Sequence, residues 1–326
     1  MKNAEKISLI IYISLLCLSL NPTKTRAACN PNDQQALLQI KAGFQNTSAF
    51  STWDQNTDCC SGSWRFVRCT SGLPTARVIS LSLEGVGDDI AEIIGCIPAA
   101  IGDLPFLEVL QFSRLPKLVG PIPASITKLS NLAVLVIKQN NKLGGPIPTM
   151  LSKIKSLTQL DLSSNAFAGA IPSSFNKLTG SIPESFASFQ PPNGLQLKLM
   201  NNQLSGTIPK ALARTKLAGL DVTGNRFTGD VSFLFGKNKI LGDLSLRQNN
   251  FKFDFAKVGL PEVLRTLDIS HNSIYGSLPS DQLALFSIDV SYNQLSGPIP
   301  SSLSKFNASN FEHNKCLCGA ALSPCK

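Results

Sequence analysis

Asparagine recurs along this 326-residue chain at a near-constant interval. Asn165, Asn202, Asn225, Asn249, Asn272 and Asn293 each follow an apolar-x-apolar pair, as in LDLSSN at 160–165, LDVTGN at 220–225, LDISHN at 267–272 and IDVSYN at 288–293. Most lead into a Gly-x-Ile-Pro-like turn, and the later intervals are 23, 24, 23 and 21 residues. A unit of that length has room for one short strand and a return path, and it cannot bury its apolar side alone. Neighbouring units must stack into a curved solenoid, whose long concave face is a surface suited to binding partners.

The interval and its apolar spacing are those of a leucine-rich repeat. Read as x-L-x-L-x-x, the chain from Val78 to about Pro300 gives nine strands with inward pairs Leu81/Leu83, Leu110/Phe112, Leu135/Ile137, Leu160/Leu162, Leu197/Leu199, Leu220/Val222, Leu244/Leu246, Leu267/Ile269 and Ile288/Val290. The asparagine amide after each strand can satisfy backbone groups where the chain turns under the core, a structural rather than catalytic task. Gly169, Gly206, Gly229, Gly276 and Gly297 allow the bend that follows. Proline at 98, 123, 148, 172, 183, 209 and 300 fixes φ on the side away from the strands.

One interval breaks the rhythm. Asn165 to Asn202 spans 37 residues, and two Ile-Pro turns lie 11 residues apart within it. A strand-bearing segment is missing there, so 166–191 is expected to form one enlarged, irregular coil. The sheet would then pass directly from the Leu160/Leu162 strand to the Leu197/Leu199 strand. Lys198 and Met200 would come one coil nearer Gln159 and Asp161, about 4.8 Å out of place for any contact spanning the join.

Both ends read as export and capping signals. Lys2 and Lys6 precede the apolar run ISLIIYISLLCLSL at 7–20, with a small-residue site near Ala27 or Ala28. The run falls short of the roughly 20 residues a spanning helix needs, so 1–28 reads as a signal peptide rather than a membrane anchor. The divisions that follow are an N-terminal cap at 29–77, repeats at 78–300 and a C-terminal cap at 301–326. The whole chain carries +9. Residues 1–28 contain four basic residues and Glu5, which leaves +6 and a modest attraction to polyanions or acidic proteins. Export and the lack of any nucleic-acid-binding pattern argue against a nucleic-acid partner. His271 and His313 have no companion at metal-ligand spacing, and no cofactor motif is present.

Eight of the nine cysteines follow the signal peptide. In an exported chain they read as staples on the caps. Adjacent cysteines do not readily pair, so Cys29–Cys59 and Cys60–Cys69 are the economical choice, with Cys318–Cys325 at the other end. Cys96 and Cys316 are left over, one in the first coil and one beyond the last, too far apart to join. In the first cap a helix is expected over 33–44, capped by Asn32 or Asp33. Trp53 and Trp64 read as cap packing rather than exposed anchors.

These pieces together resemble the plant polygalacturonase-inhibiting proteins, secreted leucine-rich-repeat proteins of the cell wall. The matching segments are CNPNDQQALLQIK at 29–41, DCC with the following Trp64 and VRC at 58–69, the Gly-x-Ile-Pro repeats, GDVSFLFG at 229–236 and NKCLCGAALSPC at 314–325. The resemblance implies an α/β fold: a right-handed solenoid with a concave parallel β-sheet, a second shorter sheet, 3₁₀ turns on the convex side and disulfide-stapled caps. It implies docking of a fungal or insect endopolygalacturonase on the concave face, with pectin as a further ligand in some members. A carrot antifreeze protein of the same branch adds ice as an alternative target. Recognition of a wall peptide or receptor is a further alternative. The chain departs from the family by its missing strand, by Ser296 where a cysteine partner for Cys316 is usual, by Cys96 in a small-residue position, and by Phe66 in place of a glycine.

Alternation along the strands puts Arg114, Val136, Lys138, Gln159, Lys198, Met200, Arg247, Gln248, His271 and Tyr292 among the concave contact candidates. Aspartates at 161, 221, 268 and 289 form a lane regular enough to be scaffold. A glycosidase reading of these carboxylates fails because a repeating ridge makes no pocket, and no nucleophile triad or HExxH accompanies them, so the chain reads as a non-enzyme. Asn46-Thr47-Ser48 and Asn307-Ala308-Ser309 are glycosylation sequons near the caps.

Overall fold

The computed structural model describes residues 27–71, 74–85, 92–168, 182–280, 285–320 and 322–325. The segment 1–28 lies outside these apart from its last two residues, as does half of the enlarged coil. Among the described residues no helix is long and apolar enough to cross a membrane.

A ten-stranded sheet runs the length of the solenoid. Its first strand, Val67–Cys69, comes from the N-terminal cap and lies antiparallel to Val78–Glu84. The other nine are parallel and are the nine strands the sequence indicates. Their eighteen inward side chains, from Leu81 and Leu83 to Ile288 and Val290, are all buried. The sheet crosses the irregular interval without a gap: Gln159, Leu160 and Asp161 pair directly with Gln196, Leu197 and Lys198.

Among the described residues most coils return through a 3₁₀ turn. Those at Ala99–Asp103, Ala124–Lys128, Thr149–Lys153, Glu184–Ser188 and Lys210–Arg214 all follow a proline, whose fixed φ sets the turn's entry. Short pairings beside the main sheet make the second sheet in pieces. These include Ser205–Thr207 with Arg226–Gly229 and Asn250–Phe251, and Tyr275–Gly276 with Gln294–Pro298 and Cys316–Cys318.

The asparagine ladder ties the coils together. Asn225 Oδ1 accepts the Leu204 N–H of the preceding coil, and its Nδ2 donates to the Leu199 and Val222 carbonyls. The same arrangement recurs at Asn202, Asn249, Asn272 and Asn293. Asn140 and Asn314 extend the ladder at its two ends.

In the first cap the helix is Pro31–Ala42, two residues earlier than expected, and Asn30 caps it by accepting the Asn32 N–H. Asp33 has another task. Its buried carboxylate takes a two-point contact from Arg77 at 2.7 and 2.9 Å and the Val78 N–H at 2.9 Å, pinning the helix to the first repeat strand. Trp53 and Trp64 stack with ring centres 5.4 Å apart and are fully buried. Phe66 takes φ 74°, a left-handed backbone that explains why a glycine suits the position.

Cys29–Cys59, Cys60–Cys69 and Cys318–Cys325 are disulfides, and Cys96 and Cys316 are free and exposed. Cys29, Asp58, Cys59 and Cys60 cluster closely, but the disulfides consume the thiols, and Asp58 accepts the Cys29 and Cys60 N–H groups. Ser296 sits directly opposite Cys316 in the strand pair.

Candidate functional site

The side chains that alternate with the buried leucines form the concave surface. Near its middle, a glycine opens a notch. A Cβ at Gly219 would lie 2.1 Å from Gln196 Oε1, so the Gln196 side chain leans across the space that a larger residue would fill. Around it lie Lys198, Asp221, Asp243, Ser245 and Thr266, enclosing a groove of about 390 Å³ with mixed charge.

The aspartate lane is largely committed to the scaffold. Asp161, Asp221, Asp268 and Asp289 each accept the N–H of the residue two places on, and at 161, 268 and 289 the serine hydroxyl there donates as well. These bonds close the turn at the end of the strand. Burial pushes the Asp268 carboxyl above the ordinary carboxylate range, and the Asp289 charge adds to this; the Ser270 hydrogen bonds and Arg247 oppose it. Arg247 Nη1 stands 3.8 Å from Asp268 and 3.6 Å from Asp289, so its guanidinium is held between two coils rather than extended toward solvent.

Besides Arg247, the other nine contact candidates separate into three settings. Lys138, Gln159, Lys198 and Met200 lie on or just after the strands and keep exposed surface, Lys198 most of all. Val136 is 6% exposed, covered by its neighbours on the flanking strands, and offers little to a partner. Arg114, Gln248, His271 and Tyr292 do not lie on the concave floor. Gln248, His271 and Tyr292 occupy the residue before a ladder asparagine and Arg114 the equivalent place before Leu115, where the chain leaves the strand through a left-handed turn with φ between 52 and 57°. That turn places them along the sheet's descending edge, where Arg114 pairs with Glu84 at 2.6 Å.

Two features of this surface were not picked out from the sequence. His313 belongs to the edge column: Tyr292 stacks on His271 at 4.2 Å and on His313 at 4.1 Å between ring centres. The signal was available, because His271-Asn272, Tyr292-Asn293 and His313-Asn314 recur every 21 residues. Phe286, immediately before the Ser287–Asp289 strand, is 80% exposed on the opposite edge. Alternation counted back from the inward Ile288 would turn Phe286 toward the core, so no signal in the sequence marks its exposure.

The Leucine rich repeat N-terminal domain family matches residues 30–70, and the Leucine Rich Repeat family matches 156–178, 263–282 and 284–306. A polygalacturonase inhibitor of Pyrus communis is 42% identical, with 98% of this chain and 99% of that protein covered. Polygalacturonase inhibitor 1 of Arabidopsis thaliana is 43% identical over 91% of this chain and 93% of its own. Among solved structures, a plant ice-binding protein superposes with a TM-score of 0.73 at 38% identity, covering 92% of this chain and 99% of that one. The fold, the caps and these relatives lead to one conclusion: the chain belongs to the polygalacturonase-inhibitor family of leucine-rich-repeat proteins.

Proposed function

We propose that this protein is exported to the plant cell wall and inhibits a fungal or insect endopolygalacturonase by docking it on the concave sheet. Inhibition is steric: the enzyme's cleft is closed to the long pectin chain, and no covalent step occurs. The observation that carries the reading is the mixed-charge groove around Gly219, flanked by Lys198, Asp221 and Asp243, in a chain whose full-length relatives are named for this inhibition. Residues 1–28 serve as the export signal. Glycans at Asn46 and Asn307 sit in or near the caps and leave the concave face open. The test titrates purified protein against a panel of secreted polygalacturonases and follows reducing ends released from polygalacturonate. Slowing of at least one enzyme supports the reading; unchanged rates across the panel at micromolar protein overturn it.

Ice is a second reading, favoured by the ice-binding structural relative. The surface available for it is the short second sheet, where Ser205, Thr207, Thr228 and Asn250 present small neutral groups. Arg226, paired with Ser205, and the nearby exposed Lys252 interrupt that face. Ice crystals that coarsen in a cooled sucrose film as fast as in buffer would exclude this activity.

A further inference from the structure

The last complete coil carries an aromatic group at each edge of the main sheet. Phe286 precedes the Ser287–Asp289 strand, and Tyr292 follows it by three residues. Five residues lie between the two, which sets their α-carbons at most about 20 Å apart. Phe286 is 80% exposed, and the Arg265 guanidinium lies 5.6 Å from its ring centre. Tyr292 is 46% exposed and is held between His271 and His313 with interplanar angles of 10 and 18°.

The backbone under the His271–Tyr292–His313 stack is informative. All three residues adopt left-handed φ, at 54, 53 and 58°. The same turn recurs at Arg114, Gln139, Ser164, Asn201, Gly224 and Gln248, so the repeat imposes it whatever the side chain. Nothing in the core requires rings at the last three positions, since all three point away from it. Stacking also fixes the rings in advance, so a partner would lose little side-chain freedom in meeting them.

We infer that the C-terminal end of the sheet, gripped by Phe286 on one edge and the His271–Tyr292–His313 stack on the other, is the energetic centre of the docking surface. The inference rests on the inhibitory reading above. The occupant is a folded protein that presents apolar side chains framed by carboxylates. The apolar requirement comes from the two aromatic edges. The acidic requirement comes from charge: Arg247 lies between Asp268 and Asp289 and offsets part of their charge, Arg265 stands beside Phe286, and the chain beyond residue 28 carries a net +6.

The test uses the whole chain and a polygalacturonase that it inhibits. Tyr292→Asn keeps the left-handed backbone, as Asn201 does, and removes the ring from both stacks; Phe286→Ser removes the other edge. Each should weaken binding about 30-fold or more, the range of interface hot spots. Tyr292→Phe, which preserves the stack, should stay near the native affinity, and the Tm of all three should match the native protein. Both ring-removing variants binding within about threefold of native, beside intact native inhibition, would overturn the inference while leaving the inhibitory reading in place. Loss of binding to polygalacturonate rather than to the enzyme would also overturn it. If the native chain inhibits no enzyme, the inhibitory reading fails first and this inference with it.

Discussion

Replacing Asn249 by alanine isolates what one rung of the ladder contributes. Asn249 is buried, its Oδ1 accepts the Phe227 N–H at 3.0 Å, and its Nδ2 reaches the Val222, Leu246 and Arg247 carbonyls at 2.9, 3.0 and 3.1 Å. The carbonyls each keep a second donor, from Asn225, Asn272 and the Gly224 N–H respectively. The Phe227 N–H loses its side-chain acceptor. An orphaned buried donor costs about 1–3 kcal/mol, and the loss of the shared amide adds about 1, so the expected destabilisation is about 2–3 kcal/mol. With an unfolding entropy of about 2.1 cal/mol/K per residue, that corresponds to a Tm lower by about 3–5 °C. The neighbouring Asn250→Ala, on an exposed residue, should change stability by no more than about 0.5 kcal/mol. Thermal unfolding followed by circular dichroism compares the two. Equal, small shifts would refute the assignment of the ladder as a major tie between coils.

Other consequences can be measured on the same footing. Arg77→Met strands the buried Asp33 charge and should cost about 3–5 kcal/mol, read as early loss of Trp53 and Trp64 fluorescence on urea titration. Ser296→Cys places a thiol opposite Cys316; the bond should form, remove about 2 Da and add up to about 3 kcal/mol, whereas a thiol count that still includes Cys316 would contradict the strand register. Asp268 has its carboxyl raised in the folded state, so the native protein holds this proton more tightly than the unfolded chain. Its contribution to stability therefore falls as pH rises from the unfolded value, about 3.9, through the higher folded one. Asp268→Asn should remove that downward slope from a Tm profile taken across mildly acid pH.

The repeat was legible because burial imposes it: a side chain facing the core must be apolar at every coil, and Leu160/Leu162 or Leu267/Ile269 show this in sequence alone. The join at the irregular interval was legible for the same reason, since a missing L-x-L segment leaves no strand to insert between Asp161 and Lys198. Surface geometry was harder to read. Arg114, Gln248, His271 and Tyr292 fall two places after an inward residue, where strict alternation would turn them to the core, but a left-handed turn carries them to the sheet's edge. Val136 looks outward in sequence, yet its neighbours cover it. Asp33 fits a helix cap by position, but only the fold brings Arg77, 44 residues away, against it.

The central claim is that the concave sheet itself closes the enzyme's cleft. Its most direct test is charge reversal at Lys198, the exposed cation beside the Gly219 notch, compared with reversal at Lys128 on a convex turn. Inhibition constants are measured for both against a polygalacturonase that the native chain inhibits. Lys198→Glu should release the enzyme by at least about tenfold, while Lys128→Glu inhibits like the native protein. Equal inhibition by all three proteins, or loss confined to the convex variant, would contradict it.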